Sequence, residues 1–536
     1  MTATYDADLQ LFIDGAWRSG EGREERPVHN PATAGTLAAL PVATAADLDE
    51  ALAAAARGWP KWRAKTPDER AALMHKAAGL IRERADHIAT LLTLEQGKPI
   101  AEARGEVLSA ATLFAYFAEE GKRIEGRVVQ RPAGQRAMVL KQPVGPVAAF
   151  SPWNFPVNLM VKKIAPALAA GCVVIAKAPE ETPGCTSAIM RCIADAGIPG
   201  DAVQLVYGVP DTISRHLLGS EVIRKVSFTG STAVGKHLMK LAADRVQRIT
   251  MELGGHAPVL IFDDCDLEAT LDRVVTQKFR NAGQVCVSPT RFYVQQGIYD
   301  AFVAGFAERT KRVKVGSGFD PETQMGPLAN ARRAPALEAM IADATAKGAR
   351  LIAGGASTGE GYFFQPTALA DVPLDADAMN HEPFGPMALI RPFQSEDEAL
   401  EQANRLPYGL AAFAFTENGR RINRVVDGIE SGMVGINSFV ISASDMPFGG
   451  IKESGFGSES GPEGLRAHPL TGSGRASSTG GVAVFSARSL HRRYLRYRGG
   501  SGQSRSRATK SRPIGARCAP PSTKIVCPVT ASARAR

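Results

Sequence analysis

The feature that most constrains this chain is an alternation of short apolar runs with amphipathic stretches between residues 144 and 255. The apolar runs read VGPVAAF, CVVIAKA, AVQLVYG, RKVSFTG and RITMELGG, and segments with helical periodicity separate most of them. This pattern predicts an α/β fold in which parallel strands form a doubly wound sheet. Ligands of such sheets bind at the carboxyl ends of the strands. We therefore expect four segments to meet at one edge: 151–156, 177–180, 229–235 and 252–255.

The rest of the chain is long enough, at 536 residues, for two or three domains. Residues 46–127 have helical periodicity, with Thr44 as an expected N-cap, Pro67 in the first turn of the second helix and Gly97 at its end. Residues 127–143 alternate like two strands joined by the turn PAGQ. A second α/β series predicts another domain over about 253–448, and a small-molecule site is expected in the cleft between the two.

The excess positive charge of this chain is confined to its end. The formal net charge is +9, but residues 466–536 hold 15 Lys and Arg and no acid, so residues 1–465 carry 48 basic against 54 acidic side chains. The basic end lacks any periodicity and is predicted to be a disordered tail foreign to the preceding domains, with translation out of frame as one explanation. A nucleic-acid-binding arm is the alternative, which we do not favour because this end lacks acids completely and its composition changes abruptly after GPEGL.

Several classes of protein are not expected. No apolar run is long enough for a membrane helix, and the first residues do not resemble a secretory signal. The seven Cys form no CxxC pair and no Cys/His cluster with metal-ligand spacing. We therefore predict a cytoplasmic protein with reduced thiols, no metal, no membrane partner and no nucleic-acid partner.

Four short motifs occur in order along the chain: PWNFP at 152–156, TMELGG at 250–255, FRNAGQVC at 279–286 and EPFGP at 382–386. As an ordered set they resemble the aldehyde dehydrogenase superfamily, and the resemblance runs from about Leu11 to Leu465. It implies a Rossmann-like NAD-binding domain (1–127 with 147–252), a catalytic domain (253–448), a small β oligomerisation arm (128–146), a C-terminal return segment (449–465) and a homodimer or homotetramer.

The resemblance assigns the chemistry to three side chains. Cys286 is the expected nucleophile, since a thiolate attacks a carbonyl carbon readily and leaves a thioester that water can cleave. Glu252 matches the general base, and its presence favours release of a free acid over transfer to coenzyme A. Asn154 matches the side-chain donor that, with the backbone N–H of Cys286, stabilises the tetrahedral oxyanion. The resemblance also places Lys177 among the catalytic residues.

The cofactor implied is NAD. The loop GSTAVG (230–235) follows an expected strand and opens a helix, so its N–H groups and the helix dipole can hold a pyrophosphate, with Ser231 as a phosphate ligand. Lys177 and Glu180 match the pair at the adenosine ribose, where a carboxylate repels a 2′-phosphate and disfavours NADP. The other expected cofactor-binding residues are Trp153, Gly230, Gly235, Glu382 and Phe384.

Within the superfamily, WNFPVNLMVKKIAPALAAGC and MPFGGIKESGFG look most like the succinate-semialdehyde dehydrogenase branch. The resemblance implies substrate contacts from Arg280, Lys162, Ser442 and Ser444. Lys162 stands where that branch has Arg and lacks a bidentate fork, which admits glutarate or 2-oxoglutarate semialdehyde as alternatives. For Arg280 the alternative is a structural ion pair. Val287 and Ser288 follow the nucleophile, so no disulfide switch is expected there.

The altered end has an expected cost. In the family a strand after the match to GPEGL pairs with the arm, and here RAHPLTGSGRASS stands in its place. We expect the arm to lose its partner strand, and unpaired strand edges to weaken assembly. An assembly-defective, inactive variant is therefore the alternative to an active enzyme.

Overall fold

The computed structural model describes residues 4–132, 135–477, 482–483 and 525–526, and the side chains of 4–132 and 137–469. The helices of this part are α1 (Ala45–Ala64), α2 (Pro67–Glu83), α3 (Ala85–Gln96), α4 (Ile100–Glu120), α5 (Pro156–Ala169), α6 (Pro183–Asp195), α7 (Pro210–Gly219), α8 (Thr232–Ala243), α9 (Leu267–Phe279), α10 (Tyr299–Arg312), α11 (Arg333–Ala346), α12 (Asp377–Asn380), α13 (Glu396–Asn404), α14 (Gly419–Gly428) and α15 (Gly461–Arg466).

The strands are β1 (Leu11–Ile13), β2 (Ala16–Arg18), β3 (Glu25–His29), β4 (Thr36–Pro41), β5 (Arg127–Gln130), β6 (Gln135–Pro143), β7 (Val147–Phe150), β8 (Val174–Lys177), β9 (Val203–Val206), β10 (Lys225–Thr229), β11 (Arg248–Glu252), β12 (Ala257–Ile261), β13 (Pro289–Gln295), β14 (Arg350–Ala353), β15 (Thr367–Ala370), β16 (Met387–Phe393), β17 (Tyr408–Gly409), β18 (Ala411–Phe415), β19 (Met433–Ile436), β20 (Ile451–Lys452), β21 (Gly455–Phe456), β22 (Pro469–Ser477), β23 (Val482–Ala483) and β24 (Ile525–Val526).

The described residues fall into two compact units, the larger containing 1–122 and 144–468. Its first sheet has the order β2-β1-β9-β8-β7-β10-β11-β21, and its second has the order β14-β15-β16-β13-β12-β18-β19-β24. In the first sheet, the neighbouring strands β9, β8, β7, β10 and β11 are parallel to one another. In the second sheet, the neighbouring strands β15, β16, β13, β12, β18 and β19 are parallel to one another. The α/β class predicted from the alternation is confirmed, and β7 to β11 lie in the apolar runs that indicated them.

The first sheet reverses its winding between β7 and β10. The chain goes from β7 outward to β8 and β9, and then returns to add β10 and β11 on the other side of β7. Crevices at such a switch point, beyond the carboxyl ends of the strands, are the usual ligand sites of open α/β sheets. The turn after β7 and the loop after β10 therefore open onto one crevice.

The helix ends follow local chemistry. Thr44 and Thr66 both make capping boxes, with Asp47 and Glu69 respectively, and Gly97 ends α3 in the left-handed region at φ 90°. The single helix expected over 67–97 is broken at Arg84. On both sides of this break the chain packs against the same helices, since α2 and α3 each contact α4 and α6.

Among the described residues, the second unit contains 123–132, 135–143, 469–477 and 482–483, and its sheet has the order β23-β22-β6-β5. The expectation that the arm has lost its partner strand is wrong: β22 pairs antiparallel with β6 from Pro469↔Pro143 to Ser477↔Gln135. The prediction failed because the hydrogen bonds between strands use the backbone. A Gly- and Ser-rich segment of low β-propensity can therefore form a strand where the tertiary context provides a partner. The rest of the expected disordered tail lies outside the described residues, apart from β23 and β24.

Candidate active site

The turn between β7 and α5 carries PWNFP and holds Asn154 in a buried position at the crevice. Pro156 occupies the first turn of α5, where its missing N–H costs nothing. The Asn154 amide nitrogen donates to the Gln284 carbonyl at 3.0 Å. A primary amide has two N–H groups, so one remains for a ligand.

Cys286 lies half-buried beyond a tight turn that follows α9. Asn281 and Ala282 are left-handed, with φ of 50° and 51°, and Gly283 continues at φ 68°. A Cβ on Gly283 would lie 2.1 Å from the Gly385 carbonyl oxygen, so only glycine permits this approach. Burial, with the nearby Glu382 and Glu252 charges, raises the pKa of the Cys286 thiol to about 12, and Lys162 opposes them. A thiol with so high a pKa can attack as a thiolate only after a base has removed its proton.

Glu252 ends β11 and is 2 % exposed. Neither carboxylate oxygen has a hydrogen-bond partner among the described residues. Burial, and next the charge of Glu459, raise the pKa of Glu252 well above its ordinary value, while Lys163 and Lys162 act in the opposite direction. An ordinary carboxylate is too weak a base for this work, so the raised pKa suits proton abstraction from water.

A second buried carboxylate and its lysine were missed by sequence reasoning. Lys163, on α5, makes an ion pair with Glu459 of the return segment and donates to the Thr229 hydroxyl at 2.5 Å. Thr229 is the register partner of Glu252 across β10 and β11, which places this pair beside Glu252. The signal was Lys162-Lys163 inside an otherwise apolar helix, since a buried lysine requires a carboxylate or another polar partner.

A cavity of about 340 Å³ opens at this edge of the first sheet. It brings together seven of the expected site residues: Trp153, Asn154, Gly230, Ser231, Cys286, Glu382 and Phe384. Ser231 caps α8 by accepting from the Val234 N–H. The rings of Trp153 and Phe384 meet edge to face with centroids 5.7 Å apart. Burial raises the pKa of Glu382 to about 8.

Other expected cofactor residues lie outside the lining of this cavity. Lys177 at the end of β8 pairs with Glu180 at 2.6 Å, and Glu180 also accepts from the Gly208 N–H at 3.0 Å. Gly235 faces Leu253 instead of the cavity, because a Cβ on it would lie 2.3 Å from Leu253 Cδ2. Its role is close packing of α8 on the loop after β11. A helix N-terminus, a capping serine and a fixed carboxylate fit a dinucleotide.

The expected substrate residues are not brought together as one cluster. The Lys162 ammonium is 3.8 Å from the centre of the Phe448 ring, and burial lowers its pKa. Arg280 is exposed, with Nε 3.8 Å from a Glu102 carboxylate oxygen. Both the substrate role and the structural ion pair expected for Arg280 are compatible with this position.

Ser442 and Ser444 lie in the loop between β19 and β20, the first exposed and the second half-buried. Their hydroxyls make no hydrogen bond within the described part of the chain, and the Ser444 carbonyl accepts from the Gly461 N–H at 2.9 Å. These two serines therefore remain predictions.

A model of the aldehyde dehydrogenase family matches residues 17–469. The chain belongs to this family. The 4-(hydroxymethyl)benzenesulfonate dehydrogenase of Comamonas testosteroni is 48% identical over 459 residues, covering 85% of this chain and 96% of that protein. The NADP(+) succinate-semialdehyde dehydrogenase of Escherichia coli is 41% identical over 458 residues, covering 85% and 95%. The crystal structure of succinate-semialdehyde dehydrogenase from Burkholderia pseudomallei has a TM-score of 0.86 and 40% identity, covering 88% of this chain and 98% of that one.

The family expected from the four motifs is thus confirmed, and the chain is an NAD(P)-dependent aldehyde dehydrogenase. In the part of this aldehyde dehydrogenase that the structure describes, no helix is long and apolar enough to cross a membrane. The same residues contain no group of three or more His, Cys, Asp or Glu side chains placed to hold a metal ion.

Proposed function

We propose that this aldehyde dehydrogenase oxidises a semialdehyde bearing a second anionic group, with succinate semialdehyde as the first candidate, to the free acid with NAD. The observation that carries the proposal is Lys162. Its ammonium is buried, lies over the Phe448 ring and makes no hydrogen bond or ion pair among the described residues, while the charges of Glu459, Glu252 and Cys286 favour its protonated form. An unpaired buried cation is costly, and an anionic substrate would supply the missing partner.

The residues then act in sequence. Cys286 attacks the aldehyde carbon after its proton passes to a base, and the Asn154 amide with the Cys286 N–H holds the oxyanion. NAD, which Ser231, Glu180, Glu382 and Phe384 would hold, would supply the hydride acceptor. Glu252 takes a proton from water, which attacks the thioester on Cys286 and frees the carboxylic acid. Aldehyde, NAD⁺ and water thus give acid, NADH and a proton.

The buried pair beside Glu252 supports the hydrolytic step. Lys163 offsets the charge of Glu459, and with Lys162 it favours the ionised form of Glu252. The base form therefore depends on two lysines of one helix, α5.

The preference for NAD over NADP rests on Glu180. Its carboxylate is fixed by Lys177 and the Gly208 N–H, so it cannot readily move away from a 2′-phosphate. The E. coli relative is named for NADP(+), so this preference distinguishes the two proteins.

The exposed surface of the arm and the state of the cysteines bear on assembly and compartment. The arm exposes Val128 by 65% and Leu140 by 39%, which favours a homodimer or homotetramer that covers them. We place the protein in the cytoplasm because the five cysteines of the described part are free thiols.

A second candidate substrate is an aldehyde bearing a sulfonate. Two observations favour it: the relative at 48% identity is named for a benzenesulfonate, and Lys162 is a point charge that does not require the planar geometry of a carboxylate. Glutarate and 2-oxoglutarate semialdehydes are longer carboxylate alternatives.

The test is a panel of these anionic aldehydes with butanal as the uncharged comparison, measured as kcat/KM. Lys162→Met and Arg280→Met are compared with the native protein, and Cys286→Ala is the inactive control. Charged hydrogen bonds contribute about 1.5–3 kcal/mol, so Lys162→Met should lower the ratio of anionic substrate to butanal by about 10- to 100-fold. An unchanged ratio in both variants would refute the anionic substrate. Turnover of no aldehyde by the native protein, with aggregation in gel filtration, would support the inactive alternative.

A further inference from the structure

The last turn of α3 and the loop after it carry three buried polar side chains, Glu95, Gln96 and Lys98. Glu95 accepts from the Gly184 and Cys185 N–H groups at the start of α6. Gln96 donates to the Asn281 side-chain oxygen at 2.8 Å. Lys98 contacts the turn that carries Asn154. Gln96 therefore acts on Asn154 only through Asn281, and Lys98 is the residue of this segment that hydrogen-bonds Asn154 directly.

Lys98 and Glu106 both hydrogen-bond the backbone of the segment that carries Asn154. The Lys98 ammonium donates to the Asn154 carbonyl at 2.8 Å and to Glu106 at 2.7 Å. The other Glu106 oxygen accepts from the N–H groups of Val157 and Asn158, at 3.0 and 3.1 Å, in the first turn of α5. One ion pair thus fixes the carbonyl of Asn154 and the start of the helix that follows it.

The pair is fully removed from water, with side chains 0% and 1% exposed. Desolvation makes a buried ion pair a poor source of stability compared with apolar residues of similar size. The ion pair instead fixes the orientation of the groups that it binds, because charged hydrogen bonds are short and restrict geometry. Lys98 also lies over the Phe155 ring at 4.0 Å, so the residue after Asn154 is held as well.

The Asn154 carbonyl receives a second donor, the Asn281 amide, at 3.0 Å. With its carbonyl held twice and one amide N–H on Gln284, Asn154 has little freedom to turn. Its remaining N–H then has a fixed direction at the cavity that contains Cys286.

We propose that Lys98 and Glu106 are positioning residues for the oxyanion donor Asn154. The inference rests on the proposed function, in which the Asn154 amide stabilises the oxyanion. The pair does not touch the substrate, and it acts only through the backbone and side chain of Asn154.

The test is a double-mutant cycle between Lys98→Met/Glu106→Gln and Asn154→Ala, with kcat measured at saturating cofactor. A misplacement of about 1 Å can cost about 100-fold in rate, so the positioning variant should lose about 10- to 100-fold in kcat. In the Asn154→Ala background the same change should lose less than about threefold, because the group being positioned is gone. Cofactor Kd and the rate of Cys286 alkylation should stay within about twofold of native.

The controls distinguish the positioning role of Lys98 and Glu106 from the oxyanion role of Asn154. Arg23→Met breaks the Arg23–Asp47 pair at the cap of α1, and it should lower the thermal midpoint without changing kcat. If the double variant does not fold, Glu106→Gln is run through the same cycle, since its amide oxygen still accepts from the α5 N–H groups. A small effect of Asn154→Ala alone would refute the proposed oxyanion role. A large effect of Asn154→Ala with additive losses would refute the positioning role and leave the function standing.

Discussion

Replacing Lys163 by Met should shift the pH dependence of turnover to higher pH. Lys163 donates to the Thr229 hydroxyl, and Thr229 lies directly opposite Glu252 on the neighbouring strand. Adjacent strands are about 4.8 Å apart, so the ammonium lies roughly 7 Å from the Glu252 carboxylate. At an effective dielectric constant of about 20, a unit charge at that distance contributes about 2.4 kcal/mol, a factor of about 50 in an ionisation equilibrium.

The direction of the shift follows from the charge removed. Burial and Glu459 already raise the pKa of Glu252, and Lys163 opposes them. Without Lys163 the pKa of Glu252 rises further, and a smaller fraction is ionised at any pH below it. If thioester hydrolysis limits turnover, kcat at a fixed pH should fall by up to about 50-fold, and most of the loss should be recovered at higher pH.

The assay is the pH profile of kcat with saturating aldehyde and NAD. Lys163→Arg keeps the charge and should leave the profile within about 0.5 unit of native. Glu459→Gln removes a charge of the opposite sign, so its profile should move to lower pH. Because breaking a buried ion pair costs about 3–5 kcal/mol, the thermal midpoint of each variant is measured first. Equal profiles for Lys163→Met and Lys163→Arg, both folded, would refute the electrostatic reasoning.

Two further predictions concern the cofactor edge. Gly235→Ala should lower stability by about 1–3 kcal/mol and weaken NAD binding, because its Cβ would displace Leu253 into the cavity; calorimetry and NAD titration measure both, and failure of Leu253→Ala to restore binding would contradict this cause. Glu180→Ser should raise the NADP/NAD ratio of kcat/KM by about 10- to 100-fold, since a like charge facing a 2′-phosphate costs several kcal/mol. Glu181→Ser is the control at the neighbouring position. An equal rise of the NADP/NAD ratio in both variants would show that Glu180 does not determine the cofactor preference.

Local patterns in the sequence identified much of this fold. The apolar runs indicated β7 to β11, and the caps at Thr44 and Gly97 are where the residues indicated them. This works because burial on both faces of a parallel sheet, and satisfaction of helix ends, are properties of short segments. The ordered motifs likewise gave the family and the candidate chemistry before any contact was known.

Other features could be known only from the tertiary structure. Lys163 and Glu459 are 296 positions apart in the chain, and neither segment indicates the other. The β22 strand forms although PLTGSGRAS has weak strand character, because the edge of β6 supplies its partner. The hydrogen bonds of Lys98 to Glu106 and to the Asn154 carbonyl could likewise be known only from the tertiary structure. Periodicity reports whether a residue is buried, whereas the partner of a buried charge is decided by which distant segments the topology brings together.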